Sequence, residues 1–238
     1  MLRSIISILL LLLSFVATAQ DDDDSTDQVR VTDSFSQVRF GVDIAKPIMY
    51  SFSGDRKSIE LEADYFWKKE MYFAADGGWG TSRWSDTSLS VSSSNVFLKA
   101  GINKSMLSRV LPNDFDMAFI GFRYGIAFID RGDALYRTRD AFWGETIGTI
   151  PGKNMTAHWF EAVAGTKLEI FNGIFAGWTA RAKFLLNKTA FRTLPPSYVS
   201  GYGAGDKNTI FDFNFYISYA MRWRRGLKSP AINVAPAE

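Results

Sequence analysis

Between Asn208 and Arg224 the chain alternates strictly. Phe211, Phe213, Phe215, Ile217, Tyr219, Met221 and Trp223 fall on one side; Asp212, Asn214, Tyr216, Ser218, Ala220, Arg222 and Arg224 fall on the other. A helix, with a period of about 3.6, cannot sort residues this way, whereas a strand does. The apolar side is also long. A strand in a soluble sheet needs about 5–6 residues, and one crossing a bilayer about 9–11. The pattern predicts a membrane-crossing strand, apolar toward lipid and polar toward a lumen.

Seven further segments alternate in the same way. Residues 37–46 place Val38, Phe40, Val42 and Ile44 outward, with Arg39 and Asp43 inward. In 58–67 the outward set is Ile59, Leu61, Ala63, Tyr65 and Trp67, against inward Glu60, Glu62 and Asp64. Lys68-Lys69 then predicts a tight turn into 70–79, where Met71, Phe73, Ala75 and Trp79 face out and Asp76 faces in. Gly77-Gly78 predicts the end of that strand or a bulge. The other predicted strands are 93–103, 116–128, 157–170 and 174–186.

The connections between them run long, short, long, medium, long, short, long. The loops include a segment beginning at Pro47, the Ser/Thr-rich 80–92, the charged 129–156, and 187–207 with Pro195-Pro196 and the glycine-rich 201–205. Asn172-Gly173 predicts a type I′ hairpin turn. Eight antiparallel strands with this asymmetry predict an up-and-down transmembrane β-barrel over 37–224, with short periplasmic turns and long extracellular loops.

Targeting signals fit that architecture. Arg3, the apolar run Ile5–Val16 and Ala17-Thr18-Ala19 form the three parts of a secretory signal, predicting removal of 1–19. The run is too short to span a bilayer. Residues 20–36, opening with Asp21–Asp24, predict an acidic disordered tail in the periplasm, and 225–238 a second periplasmic tail. Aromatic residues make up 15% of the chain, with 7 Trp and 20 Phe. Trp67, Phe171 and Trp223 at the lower rim, with Trp79, Phe128, Phe160 and Phe184 at the upper, predict two interfacial girdles. The setting is therefore the outer membrane of a Gram-negative cell, with its lipid as the first partner.

Charge and candidate chemistry narrow the function further. A formal net charge of +2 gives no hint of nucleic acid. The absence of cysteine excludes disulfides and thiolate metal sites, and no cofactor or metal is expected. The inward charges are Asp43, Glu60, Glu62, Asp64, Asp76, Glu161, Glu169 and Asp212 against Arg39, Lys99, Arg123, Lys167, Arg181, Lys183 and Arg222. An eight-stranded interior is just wide enough for side chains to fill it, and a lone buried charge costs several kcal/mol. The signs should therefore pair across the lumen as a salt-bridged plug, with an ion or proton path as the alternative. His158, the only histidine, is the weak catalytic candidate. A Ser–His–Glu site would need Glu161, but on a strand positions 158 and 161 face opposite sides. The run Gly201–Gly205 lacks the strand-turn-helix context of a nucleotide fingerprint and predicts a flexible loop.

Residues 37–224, and above all the Phe-x-Phe-x-Phe-x-Ile-x-Tyr-x-Met-x-Trp run ending at Trp223, resemble the small eight-stranded outer-membrane barrels, the architecture of the OmpA transmembrane domain and OmpX. The resemblance implies fold and location, and no active-site motif carries over with it. Three roles follow as expectations. The first is a structural or accessory barrel working with other envelope proteins. The second is a lipid-modifying enzyme of the lipid A acyltransferase or deacylase kind, and the third is surface adhesion through the long loops.

Overall fold

The computed structural model describes residues 35–51, 54–109, 111, 113–140, 142, 144–191 and 194–224. All of them fall within one compact unit, Asp33–Glu238. The expected signal segment 1–19 and C-terminal tail 225–238 lie outside the described residues, as does the acidic tail up to residue 34.

The strands are β1 (Phe35–Asp43), β2 (Arg56–Lys68), β3 (Met71–Ser85), β4 (Leu89–Ser105), β5 (Met117–Arg131), β6 (Ala134–Asp140), β7 (Gly144–Ile150), β8 (Lys153–Phe171), β9 (Ile174–Leu185) and β10 (Thr209–Arg224). Eight of them close a ring in the order β1-β2-β3-β4-β5-β8-β9-β10, every neighbour antiparallel. Closure is made by β1 against β10, from Phe35↔Arg224 to Asp43↔Tyr216. Burial alternates along β2, β4, β5, β8, β9 and β10, and with local breaks along β1 and β3, so the period-2 pattern turns one set into the lumen and leaves the other on the outer surface. Phe40, Leu61, Phe73, Leu98, Ile120, Phe122, Phe213 and Phe215 are among the exposed apolar side chains. A surface this apolar is stable against lipid and not against water. No helix among the described residues is long and apolar enough to cross a membrane.

Several expectations needed correction. The stretch 129–156 is not only loop: β6 and β7 form a hairpin outside the ring, joined to β4 by Leu89↔Tyr136 and Ser90↔Leu135. Both of its faces are exposed along β7, so no apolar stripe marked it in the sequence. The Ser/Thr-rich 80–92 likewise continues β3 and β4, in register from Gly80↔Asn95 to Ser85↔Ser90. Hydroxyl side chains suit a strand whose two faces meet polar surroundings. Gly77-Gly78 neither ends β3 nor shifts its register. A Cβ at Gly78 would collide with the Ile59 carbonyl and the Phe97 ring, so glycine is there for close approach. The first strand stops at Asp43, and Ala45–Ser51 form a helix, α1, with Pro47 in its first turn. The β2–β3 turn is Lys69-Glu70, both left-handed at φ 50 and 60, rather than Lys68-Lys69. At Asn172-Gly173 only the glycine is left-handed, at φ 79, so that turn is not type I′.

The interior is layered. An apolar cluster of Phe66, Tyr72, Phe115, Met117, Phe119, Val163, Phe175 and Ala220 fills the end with short turns. A second, with Phe97, Ile129, Met155, Trp159, Leu185, Phe191, Val199 and Tyr202, fills the end with long loops. Phe191 comes from a 3-10 helix, Lys188–Phe191. Val199 and Tyr202 come from the glycine-rich segment, which is packed into the mouth rather than being a free loop. Gly201 (φ 86) and Gly203 (φ 131) allow that path, and a Cβ on Gly201 would enter the Phe97 ring.

Candidate functional site

Between the two apolar layers lies the charge layer. Glu60 of β2 is its hub. Its Oε1 accepts from Lys99 Nζ (2.7 Å), Arg181 Nη1 (2.6 Å) and the Tyr216 hydroxyl (2.7 Å), and its Oε2 from Lys46 Nζ (2.9 Å). Below it, Glu62 and Asp64 share Lys167, with Asp64 at 2.6 Å, and Asp64 also accepts from Arg39 Nε at 2.7 Å. Asp76 of β3 bonds Arg123 of β5 and lies 3.3 Å from Lys99 and 3.4 Å from Arg181. Glu161 accepts from Trp159 Nε1 at 2.7 Å and faces Lys99 and Arg181 at 3.7 and 3.8 Å. Asp212 takes Lys183 (2.6 Å) and Lys46 (3.0 Å). Asp43 is held by Asn214 at 2.6 Å. At the rim Arg222 pairs with Glu169 at 2.5 Å.

The strand assignments explain this geometry. Acids are concentrated on β2 and β3 and bases on β4, β5 and β9, while β8 carries both signs, so bonds such as Arg181–Glu60 and Lys167–Glu62 cross the lumen. Every charged residue named for the interior in the sequence has an opposite charge or a hydrogen-bonding partner there. Sequence reasoning missed three members. Lys46 ends the predicted strand 37–46, whose parity turns it outward, but the chain is helical there and Lys46 points into the lumen from α1. Tyr216 shares the inward face of Asp212, but collecting only formal charges passed over it. Trp159 is fully buried and anchors Glu161. With Lys46 included, the cations match the carboxylates in number.

The long-loop end is closed by two segments. Lys46 reaches down from α1. Burial works against its charge, but the carboxylates of Glu60 and Asp212 more than offset this and hold it well above the usual lysine range. The Tyr50 hydroxyl of α1 donates to that of Tyr198 at 2.6 Å, and burial raises both phenols. The segment 194–203 is tied to the wall by Asn95, which bonds the Ser200 carbonyl and N–H at 3.0 and 2.9 Å. Lys183 adds a bond to the Gly201 carbonyl at 2.8 Å.

His158 is elsewhere. It lies on the outer face, with Nδ1 2.7 Å from the Tyr124 hydroxyl, while Glu161 is buried in the lumen. The structure therefore does not bring these two together. Trp67, Trp79, Phe128, Phe160, Phe171, Phe184 and Trp223 are all exposed on the outer surface. Trp67 packs beside Phe73 (5.3 Å), and Trp223 stacks with Tyr65 (6.3 Å).

A closed antiparallel ring, apolar outside and polar within, is an eight-stranded outer-membrane β-barrel. Within that class the chain belongs to the family described as Domain of unknown function (DUF6048), whose model matches residues 1–223. No curated protein matches its sequence. Among solved structures it is similar to Neisserial surface protein A (NspA), with 10% identity, 79% of this chain and 94% of that one covered, and a TM-score of 0.35. It is also similar to the N-terminal β-barrel domain of Pseudomonas aeruginosa OprF, with 9% identity, 79% and 98% covered, and a TM-score of 0.31.

Proposed function

We propose that this protein is an accessory or structural component of the outer membrane that acts through its surfaces and not through its lumen. One observation carries the reading: the interior is a layer of matched charges centred on Glu60, capped at each end by apolar side chains. Such a layer holds its groups in place, because freeing any one of them leaves a buried charge without its partner. An ion path would need mobile groups and an aqueous route through Phe66, Phe115 and Trp159, all fully buried. The apolar segment Ile5–Val16 supports export, and the outward apolar belt supports residence in the outer membrane.

The lipid-modifying alternative has less support, because the carboxylate nearest His158 in sequence is committed to Trp159 in the lumen. The test is conductance of the refolded protein in planar bilayers, together with gentle affinity purification from native outer membrane. The expected result is no channel steps and a specific co-purifying envelope protein. Reproducible channel steps would overturn the reading.

A further inference from the structure

Lipid meets the outer wall of the ring all round, but one stretch of that wall is hollowed and charged. On β2, β3 and β4 the outward positions Ala63, Ala75 and Ala100 lie side by side, paired as Ala63↔Ala75 and Ala75↔Ala100. One rung nearer the short turns the outward side chains become large, with Tyr65↔Phe73 and Phe73↔Ile102. Methyl groups beside bulky side chains leave a hollow, and these six residues line an apolar groove of about 550 Å³ on the outer surface.

The next rung pairs Met71 with Lys104, and there the wall turns basic. Lys104 Nζ donates to the Lys69 carbonyl at 2.5 Å, which ties the end of β4 to the β2–β3 turn. The Lys68 ammonium lies 4.6 Å from the centre of the outward Trp67 ring. Lys68, Lys69 and Lys104 are all exposed. The one carboxylate of the turn, Glu70, is taken by Arg109 at 2.9 Å, so these lysines have no acid partner among the described residues. The other short turn differs. Asn172-Gly173 carries no charge, and Arg222 of neighbouring β10 is paired with Glu169.

We propose that the groove and the lysine cluster together bind a phospholipid of the periplasmic leaflet whose headgroup carries net negative charge. Height supports this. Ala100 and Lys104 are four residues apart, about 14 Å along a strand, comparable to half of a hydrocarbon core about 30 Å thick. An acyl chain lying in the groove therefore brings its phosphate to the lysines. Charge selects the headgroup. Three cations facing no acid complement an anionic diester such as phosphatidylglycerol, whereas phosphatidylethanolamine would add its own ammonium to the cluster. A free phosphate would find the lysines but leave the groove unfilled. The inference is separate from the closed lumen, since a conducting barrel could hold the same lipid and a closed one could lack it.

The test is native mass spectrometry of the full-length protein released from nanodiscs that hold equal amounts of phosphatidylglycerol and phosphatidylethanolamine with identical chains. The wild type should retain phosphatidylglycerol about tenfold over phosphatidylethanolamine. Lys68→Gln, Lys69→Gln and Lys104→Gln combined should equalise the two lipids. Ala75→Trp fills the groove and should lower retention of both. All four positions lie outside the lumen, so each variant should keep the heat-modifiable gel shift of a folded barrel. Lys57→Gln, at the opposite end of β2, should change nothing, and soluble glycerol 3-phosphate should not displace the lipid. The proposal is overturned by equal retention of the two lipids in the wild type, or by a preference that survives loss of the three lysines. Full retention in Ala75→Trp, equal loss in Lys57→Gln, or displacement by glycerol 3-phosphate would overturn it as well.

Discussion

The ring and its hairpin are the same kind of sheet under opposite boundary conditions. Closing on itself, the ring gives every edge a partner and encloses a space in which charges must match. The hairpin stands outside, with both faces and one edge open, and its Arg137–Glu145 pair is 58% and 37% exposed at the side chains. The same chemistry therefore has different worth in the two places. A buried ion pair is held by the penalty of breaking it, whereas an exposed one is held by little.

The largest effect should come from Glu60→Leu. It removes the nearest carboxylate of Lys46, Lys99 and Arg181 and leaves the lumen one negative charge short, and breaking a buried pair from one side costs about 3–5 kcal/mol. Refolding followed by heat-modifiable gel mobility should show loss of the barrel. The matching change in the hairpin, Glu145→Leu, should cost about 0–1 kcal/mol. Equal damage at both sites would erase the distinction drawn between ring and hairpin.

A second effect separates the two faces of one ring strand. Phe215 is outward on β10 and Ser218 inward. Arginine at a mid-membrane lipid-facing site costs about 2–4 kcal/mol, so Phe215→Arg should block insertion. Ser218→Arg enters a lumen already lined with charge and should be less harmful by the same assay, although crowding against Gly41 limits it.

The smallest effect tests the mouth, which lies between ring and hairpin in character. Lys46, Tyr50 and Tyr198 all have their proton affinities raised in the folded protein. The native state therefore binds these protons more tightly than the unfolded chain does. Their contribution is fully present below about pH 10 and is lost as pH rises through the native values. Phenolate absorbance should show at least two tyrosines titrating late, with strand circular dichroism preserved. All tyrosines titrating together near pH 10 would mean that the mouth is open.

How much of this was legible depended on whether a segment has one apolar face. Phe211 to Trp223 and Ile59 to Trp67 have one, and parity alone assigned their lumen and lipid sides. The upper parts of β3 and β4, and all of β7, do not, because serine and threonine meet polar surroundings on both sides there. Tyr198, Val199 and Tyr202 read as loop because their burial depends on the ring that receives them. Lys46 was hidden for a related reason: its helix is only seven residues long, too short to display a period.

The hub at Glu60 also bears on how the barrel can be made. Its cations arrive from α1, β4 and β9, and the ring is not complete until β10 meets β1. A partly inserted sheet carrying β2 and β3 alone would present Glu60, Glu62, Asp64 and Asp76 with no cation from β5, β8 or β9 to neutralise them. Insertion strand by strand would thus pass through states of high electrostatic energy. The chain is suited to concerted assembly, in which the sheet is gathered and closed before its acidic face leaves water.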